Sequence, residues 1–173
     1  SDVIALDDRQ RPPQSYLHSS ARFLSARMIS VGEEQRWRVP FPHVPAIEFS
    51  IDVKQRLPNL VLQIAIYNSS GMEIVTSNSS DEVSFENVNP GIVNIVARYE
   101  GLVLVPGQYS LTLGLRTDAG QEDIVANALE FEVMESERSG LLQTHHRRGA
   151  IVPRVSYELA PASRATFRDC RQM

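Results

Sequence analysis

Two adjacent histidines and a lone cysteine are the side chains best suited to bind a metal or act as a nucleophile. His145 and His146 precede two arginines, and no carboxylate or cysteine accompanies them at a metal-like spacing. Cys170 has no histidine near it in the sequence, whereas a nucleophilic cysteine needs a neighbouring base. We therefore interpret the histidines as part of a solvated loop, and we predict no metal site and no cysteine catalysis.

Neighbouring carboxylates are the other source of acid–base chemistry in the chain. Asp81-Glu82 and Glu122-Asp123 both fall where the pattern predicts turns. General acid–base catalysis needs carboxyl groups that are held in defined environments. Because turn residues are normally solvated, we predict that these carboxylates are ordinary surface groups.

Motifs of nucleotide-binding proteins and hydrolases are absent from the sequence. It contains no GxxxxGK[ST], GxGxxG, GxSxG or HExxH. Two Asn-Ser-Ser tripeptides, at 68–70 and 78–80, match the N-glycosylation pattern, but no secretion signal accompanies them. We therefore predict a binding domain without a cofactor, and not an enzyme.

Composition sets broad limits on the kind of protein. A chain of 173 residues is long enough for one domain with arms. Its formal net charge of −4 gives no support for nucleic-acid binding. The single cysteine excludes an intrachain disulfide and fits a reducing compartment, and no apolar run approaches the roughly 20 residues that span a bilayer. Ser1 stands where an initiator Met is expected, which indicates a fragment of a longer chain or a processed one.

Residues 91–116 carry the strongest fold signal. Apolar and polar residues alternate with a period of two on both sides of Pro106-Gly107, which is typical of half-buried strands. Proline presets φ for a turn and glycine tolerates positive φ. We therefore predict a β hairpin that turns at Pro106-Gly107, with Tyr99 and Tyr109 facing the core. The alternating strand at the end of 124–134 likewise places Phe131 inward.

The same alternation recurs along the chain. We count about eight to ten short strands with turn signals about every 8 to 12 residues, which predicts an all-β antiparallel β-sandwich of immunoglobulin-like or jelly-roll type. Residues 20–31 favour a strand, with a short amphipathic helix as the alternative, and 83–90 indicate an irregular crossover. The predicted sandwich spans 20–159, between a linker or arm at 1–19 and a flexible tail at 160–173.

Several stretches of the chain resemble a known family in their order and spacing. The stretches are IAIYNSSGMEIVTSNS, YEGLVLVPGQYSLTLGL, ALEFEV and GAIVPRVSY. They contain a turn glycine before EIV, an L-x-L-x-PG-x-Y passage and an F-x-V strand. Over about residues 20–159 the chain resembles the C-terminal carbohydrate-binding domain of Wzt, the nucleotide-binding component of ABC transporters that export O-antigen polysaccharide.

The resemblance implies a specific setting. Members of the family carry an N-terminal ATPase domain, a linker and a β-sandwich that recognises the glycan, often at its modified end, on the cytoplasmic face of the bacterial inner membrane. The partners implied are O-antigen polysaccharide, the ATPase domain, a membrane permease and a second copy of the chain, with a C-terminal strand exchanged between protomers. The aromatic pattern of the family's closing segment is reduced here to Val155-Ser156-Tyr157.

Sugars are bound by aromatic faces together with planar polar groups. Outward positions of the predicted strands supply the candidates for carbohydrate binding, with Trp37 from an edge strand: Gln63, Tyr67, Asn94, Arg98, Thr112, Arg116 and Trp37. Arg98 is the first choice, because it interrupts an apolar run, and the predicted hairpin places it on one surface with Thr112 and Arg116. Trp37 is either a stacking platform or a cap of the sandwich. For each residue the alternative is an ordinary polar sheet face, and none belongs to the motifs of the resemblance.

Two other classes of function remain open at this point. One is a structural or protein-interaction sandwich, an immunoglobulin-like adaptor whose edge strand pairs with a partner and which has no glycan ligand. The other is a lyase or hydrolase on a jelly-roll scaffold, which requires carboxylates or histidines clustered on one face. The fold alone does not decide between these functions.

Overall fold

Twelve β-strands and one short 3-10 helix, Ser79–Asp81, form the regular structure of the described residues. The computed structural model describes residues 3–6, 11–12, 19–29, 38–40, 46–100, 102, 104–134, 154–159 and 166–169. The strands are β1 Ile4–Ala5, β2 Ala21–Ile29, β3 Arg38–Pro40, β4 Ala46–Val53, β5 Leu57–Asn68, β6 Glu73–Asn78, β7 Val83–Val88, β8 Gly91–Glu100, β9 Gly107–Thr117, β10 Gly120–Met134, β11 Arg154–Leu159 and β12 Thr166–Asp169.

The strands form two sheets that share one hydrophobic core. Sheet A has the order β1-β2-β4-β8-β11. Sheet B has the order β12-β7-β5-β9-β10-β3, and β6 also pairs with β5. Among these strands only β3 lies parallel to its partner, β10. The predicted β-sandwich is confirmed.

Aromatic residues from both sheets are buried in this core. Tyr109 and Phe131 of sheet B stack with their ring centroids 5.5 Å apart. The Tyr99 hydroxyl of sheet A lies 3.0 Å from the Ser77 hydroxyl on β6, a hydrogen bond that joins the sheets. The prediction that Tyr99, Tyr109 and Phe131 face inward is confirmed.

The predicted hairpin at Pro106-Gly107 is wrong. Strand β8 lies in sheet A between β4 and β11, whereas β9 lies in sheet B between β5 and β10. Between them, the buried Leu102 and Leu104 take the chain across the core from one sheet to the other. Alternation shows which face of a strand is buried but not which strand it pairs with, so a crossover and a hairpin carry the same pattern.

Other local predictions had mixed outcomes. Residues 20–31 form a strand, β2, and not the alternative helix. The irregular crossover predicted at 83–90 is wrong, because Val83–Val88 form β7, which pairs with both β5 and β12. Strand β12 itself falls within 160–173, the stretch predicted to be a flexible tail.

A buried ion pair ties the N-terminal stretch to sheet B. Arg11 donates from Nε and Nη2 to the two carboxylate oxygens of Asp123, over 2.9 and 3.0 Å. The Phe23 backbone N–H also donates to Asp123, over 2.8 Å. Asp123 is 0% exposed and Glu122 is 8% exposed. The prediction that Glu122-Asp123 are solvated turn residues is therefore wrong, because they lie within β10.

The described part of the predicted arm is packed on the sandwich. Ile4–Ala5 pair antiparallel with β2, and the buried Leu6 donates its N–H to the Leu24 carbonyl over 2.9 Å. The domain boundaries at residues 19 and 159 stay predictions.

Candidate functional site

The predicted site residues lie on opposite sides of the sandwich. Gln63, Tyr67, Thr112 and Arg116 share the outer face of sheet B, where β5 and β9 are neighbours. By contrast, Asn94 and Arg98 lie on β8, on the outer face of sheet A. The prediction that both sets share one surface is therefore wrong, because it depended on the hairpin. Trp37 lies outside the described residues.

We name the outer surface of the two central strands of sheet B the β5–β9 face, formed by Gln63, Ala65, Tyr67, Ser110, Thr112, Gly114 and Arg116. Cross-strand register opposes Tyr67 to Ser110 and Gln63 to Gly114. From Ser110 to Arg116 the face extends about 20 Å, at about 3.4 Å per residue. Small side chains occupy its middle, with Tyr67 towards one end and the exposed Arg116 at the other.

Gly114 allows two glutamines to lie close over the middle of this face. A Cβ at Gly114 would meet Gln63 Oε1 at 3.3 Å and Gln121 Nε2 at 3.4 Å. Gln121 is fixed in place, because its amide nitrogen donates to the carbonyls of Leu115 and Asp123, each over 2.7 Å. Any side chain at position 114 would displace at least one of these amides.

Sequence reasoning missed Gln121. The residue follows the turn glycine Gly120, and a bulge between Gln121 and Asp123 shifts the register of β10 against β9. That bulge leaves Gln121 opposite Arg116, while Asp123 faces the core. No local pattern in the sequence marks an inserted strand residue of this kind.

Glu73 orients the aromatic residue of the β5–β9 face. The Tyr67 hydroxyl donates to Glu73 Oε2 over 3.0 Å, and Thr76 donates to the other carboxylate oxygen. Burial of the ring, together with the hydrogen bond and the charge of Glu73, raises the pKa of Tyr67 above 10.0. The phenol therefore stays neutral at physiological pH, and its ring is held from the hydroxyl end.

The two outer faces differ in how far their polar groups are already bonded. On sheet A, Ser50 donates to Asn94 over 2.7 Å, and Arg27 forms an ion pair with Glu48. On sheet B, the side chains of Gln63, Thr112 and Arg116 have no hydrogen bond or ion pair with any described residue. Such groups retain the donors and acceptors that a polar ligand would use. Arg98 on sheet A is also exposed and unbonded among the described residues.

The first Asn-Ser-Ser tripeptide has a structural role. Asn68 Oδ1 accepts hydrogen bonds from the Ser70 N–H, the Ser70 hydroxyl and the Met72 N–H, over 3.1, 2.7 and 2.9 Å. This is an Asx-type turn that closes the connection between β5 and β6. The side chain of Asn68 is therefore used to form the turn.

The described residues offer no cluster of three or more His, Cys, Asp and Glu side chains that could hold a metal ion. His145, His146 and Cys170 lie outside the described residues. In the part of the chain that the structure describes, no helix is long and apolar enough to cross a bilayer.

Comparison with known proteins assigns the chain to a family. Residues 13–144 match the model of the Wzt C-terminal domain. A solved structure, the crystal structure of the C-terminal domain of Wzt, has the same fold, with a TM-score of 0.54 at 14% sequence identity. The match covers 73% of this chain and 82% of that chain. No curated protein matched the sequence. The chain therefore belongs to the Wzt C-terminal domain family, whose members are non-catalytic domains of an ABC-transporter component.

Proposed function

We propose that this domain binds O-antigen polysaccharide on the β5–β9 face and so selects the glycan for export by the ABC transporter. The observation that carries this proposal is a set of polar side chains that are unbonded among the described residues, Gln63, Thr112 and Arg116, beside the oriented ring of Tyr67. Membership of a transporter-component family supports it. In this proposal the domain only binds, and catalysis belongs to a separate ATPase domain.

The chemistry of the β5–β9 face suits a sugar chain. Glycan hydroxyls are both donors and acceptors, and the Gln63 amide and the Thr112 hydroxyl offer both functions. The guanidinium of Arg116 presents several donors in one plane. Tyr67 supplies an aromatic surface against which the apolar side of a sugar ring can pack. The small residues between them leave room for a chain that lies along β9.

The outer face of sheet A is the weaker candidate. The Asn94 amide oxygen already accepts a hydrogen bond from Ser50, so a ligand that used it would have to compete with that bond. Arg98 offers free donors, but it lies on the opposite sheet from Arg116 and cannot join the same site within one sandwich. We therefore keep Arg98 as the alternative position for the site.

The wider setting follows from the family. We propose that the full transporter places this domain beside an ATPase domain and a membrane permease on the cytoplasmic face of the inner membrane. We also propose a homodimer in which β11 is exchanged. Strand β11 pairs antiparallel with β8 of its own chain, from Arg154 opposite Glu100 to Leu159 opposite Ile95. The same pairing can form between two chains without a change of register.

The competing function is a protein-interaction sandwich that pairs through an edge strand. The described edges of sheet B include β6, with 6 residues, which pairs only with β5, and the part of β10 before Glu132, which β3 does not cover. These edges offer backbone for strand addition. Binding of glycan by the purified domain therefore has to separate the sheet surface from the sheet edge as the binding site.

The experiment is titration calorimetry of the domain with purified O-antigen polysaccharide from the source strain. We expect saturable binding that weakens about fivefold to tenfold in Gln63→Ala, the loss expected for one hydrogen bond. Asn94→Ala is the matched control, because it removes a half-buried amide from the centre of the other sheet. Absence of binding by the folded wild-type domain would leave the protein-interaction function as the better account.

Dimerisation is tested separately by light scattering. We expect a mass of two chains at micromolar concentration, and a chain that ends before β11 should be monomeric. A wild-type monomer under these conditions would refute the exchanged strand and leave the glycan proposal standing.

A further inference from the structure

The bulge in β10 has a different partner on each side of sheet B. On the outer side, Gln121 lies over Gly114 within the β5–β9 face. On the inner side, the Asp123 carboxylate holds Arg11. The two sides are joined directly, because Gln121 Nε2 donates to the backbone carbonyl of Asp123 over 2.7 Å. One short segment of chain therefore touches both the proposed glycan surface and the N-terminal stretch.

Arg11 holds the N-terminal stretch by its whole guanidinium group. Besides its two bonds to Asp123, Nη1 donates to the Leu6 carbonyl over 2.9 Å and Nη2 donates to the Phe23 carbonyl over 2.7 Å. Arg11 itself is 8% exposed. The guanidinium thus binds its own arm, strand β2 of sheet A and strand β10 of sheet B at once.

This arrangement makes the arm and the bulge dependent on each other. If Arg11 and residues 3–6 left the sandwich, Asp123 would remain as a buried carboxylate without its cation, which is strongly unfavourable. Release of the arm therefore requires the bulge to rearrange so that Asp123 reaches water. Because Gln121 bonds to the Asp123 carbonyl, the same rearrangement disturbs the amide that lies beside Gln63.

We propose that residues 3–6 and 11–12 act as a latch, and that docking of the latch and binding at the β5–β9 face favour each other through the β10 bulge. The part of this inference that concerns glycan depends on the proposed function. The coupling between the latch and Gln121 does not. Linkage requires the effect to be reciprocal: a ligand that fixes Gln121 stabilises the docked arm, and a docked arm raises affinity for that ligand.

The first experiment tests the coupling without any ligand. Hydrogen exchange at the Leu6 amide, which donates to Leu24, reports docking of the latch in the full chain. We expect Gln121→Ala to accelerate this exchange about tenfold, because two hydrogen bonds that hold the bulge are lost. Gln108→Ala, an exposed glutamine on β9 away from the bulge, should change it less than about twofold. Exchange at Ile95 in β8 reports global unfolding, so Leu6 has to exchange faster than Ile95 for its rate to report local release of the latch.

A second variant removes the ion pair between the latch and the β10 bulge and fills its place with apolar side chains. Arg11→Met with Asp123→Leu replaces the ion pair by apolar side chains, which removes both buried charges together. The Phe23 N–H and the Leu6 and Phe23 carbonyls lose their side-chain partners in this variant, so thermal unfolding first establishes that it is folded. In this background Gln121→Ala should no longer accelerate exchange at Leu6, as in a double-mutant cycle. Equal effects of Gln121→Ala in both backgrounds, or of Gln121→Ala and Gln108→Ala in the wild type, would overturn the latch coupling.

The third arm adds purified O-antigen polysaccharide from the source strain. We expect exchange at Leu6 to slow about fivefold in the wild type and to stay unchanged in the Arg11→Met, Asp123→Leu variant. If the polysaccharide binds but Leu6 exchange does not respond, the linkage to glycan is refuted. If the polysaccharide does not bind, the proposed function fails, and the ligand-free coupling is judged by the first two experiments.

Discussion

The outer faces of sheets A and B are both polar, yet their polar groups are used differently. On sheet A, cross-strand neighbours bond to each other, as Ser50 does to Asn94. On the β5–β9 face, Gln63, Thr112 and Arg116 have no side-chain partner among the described residues. A polar sheet face is therefore not a binding face by composition alone. The β5–β9 face has three neighbouring polar side chains that are unbonded among the described residues, whereas on sheet A the Asn94 amide, on the same strand as Arg98, is already bonded to Ser50.

The largest loss of stability is expected at Asp123, whose buried carboxylate belongs to neither outer face. Asp123→Ala leaves Arg11 buried without its anion and should lower the free energy of unfolding by about 3–5 kcal/mol. Urea unfolding measures this loss. The control is Asp118→Ala, an exposed turn carboxylate bonded to Asn59, whose loss should be about 1 kcal/mol. Similar losses in the two variants would show that the buried pair does not hold the arm.

The next effect separates binding from stability on the β5–β9 face. Gly114→Ala adds a methyl group 3.3 Å from Gln63 Oε1 and should weaken polysaccharide binding about tenfold, because the glutamine has to move. Stability should change by less than about 1 kcal/mol, since alanine suits a strand at least as well as glycine. Calorimetry and thermal unfolding of the same sample give both values. Unchanged affinity would remove the centre of this face from the site.

A smaller effect is expected on the pKa of the Tyr67 phenol. Burial and the neighbouring Glu73 raise its pKa above 10.0, so the folded state holds the phenol proton more tightly than the unfolded state does. The resulting stabilisation is complete below pH 10 and is lost as the pH rises through the folded-state pKa. Phenolate absorbance, taken as a difference against Tyr67→Phe, should show a midpoint that moves down towards 10 in Glu73→Gln. An unmoved midpoint would show that Glu73 does not contribute to the raised pKa of Tyr67.

The smallest effect is expected on sheet A. Arg27→Ala removes an exposed ion pair with Glu48 and should lower the free energy of unfolding by about 0.2–1 kcal/mol, less in high salt. Polysaccharide affinity should not change, because the pair lies on the other face. A clear loss of affinity would place part of the site on sheet A.

The sequence was sufficient to predict most of the strands and their buried faces, because alternation is a local property, but it missed β1, β7 and β12. It placed Tyr99, Tyr109 and Phe131 in the core, as the structure confirms. It could not predict strand partners, because pairing depends on contacts between distant residues. The misassigned turn at Pro106-Gly107 therefore merged two surfaces that lie on opposite sheets.

The buried ion pair is a second contact between distant residues that could not be predicted from the sequence. Arg11 and Asp123 are 112 residues apart in the chain, and each sits in a stretch whose local composition suggests solvent exposure. The strand bulge that turns Asp123 inward also brings Gln121 onto the β5–β9 face. These non-local features account for the part of the candidate site that sequence reasoning missed.

The central claim is that the glycan lies on sheet B and not on sheet A, and a pair of arginine variants tests it most directly. Arg116 and Arg98 are both exposed, unbonded among the described residues, and placed on interior strands of opposite sheets. Titration calorimetry with purified O-antigen polysaccharide should show affinity about tenfold weaker in Arg116→Ala, for loss of a charged hydrogen-bond donor, and unchanged in Arg98→Ala. Weakened binding in Arg98→Ala with unchanged binding in Arg116→Ala, at equal stability, would contradict this account and move the site to sheet A.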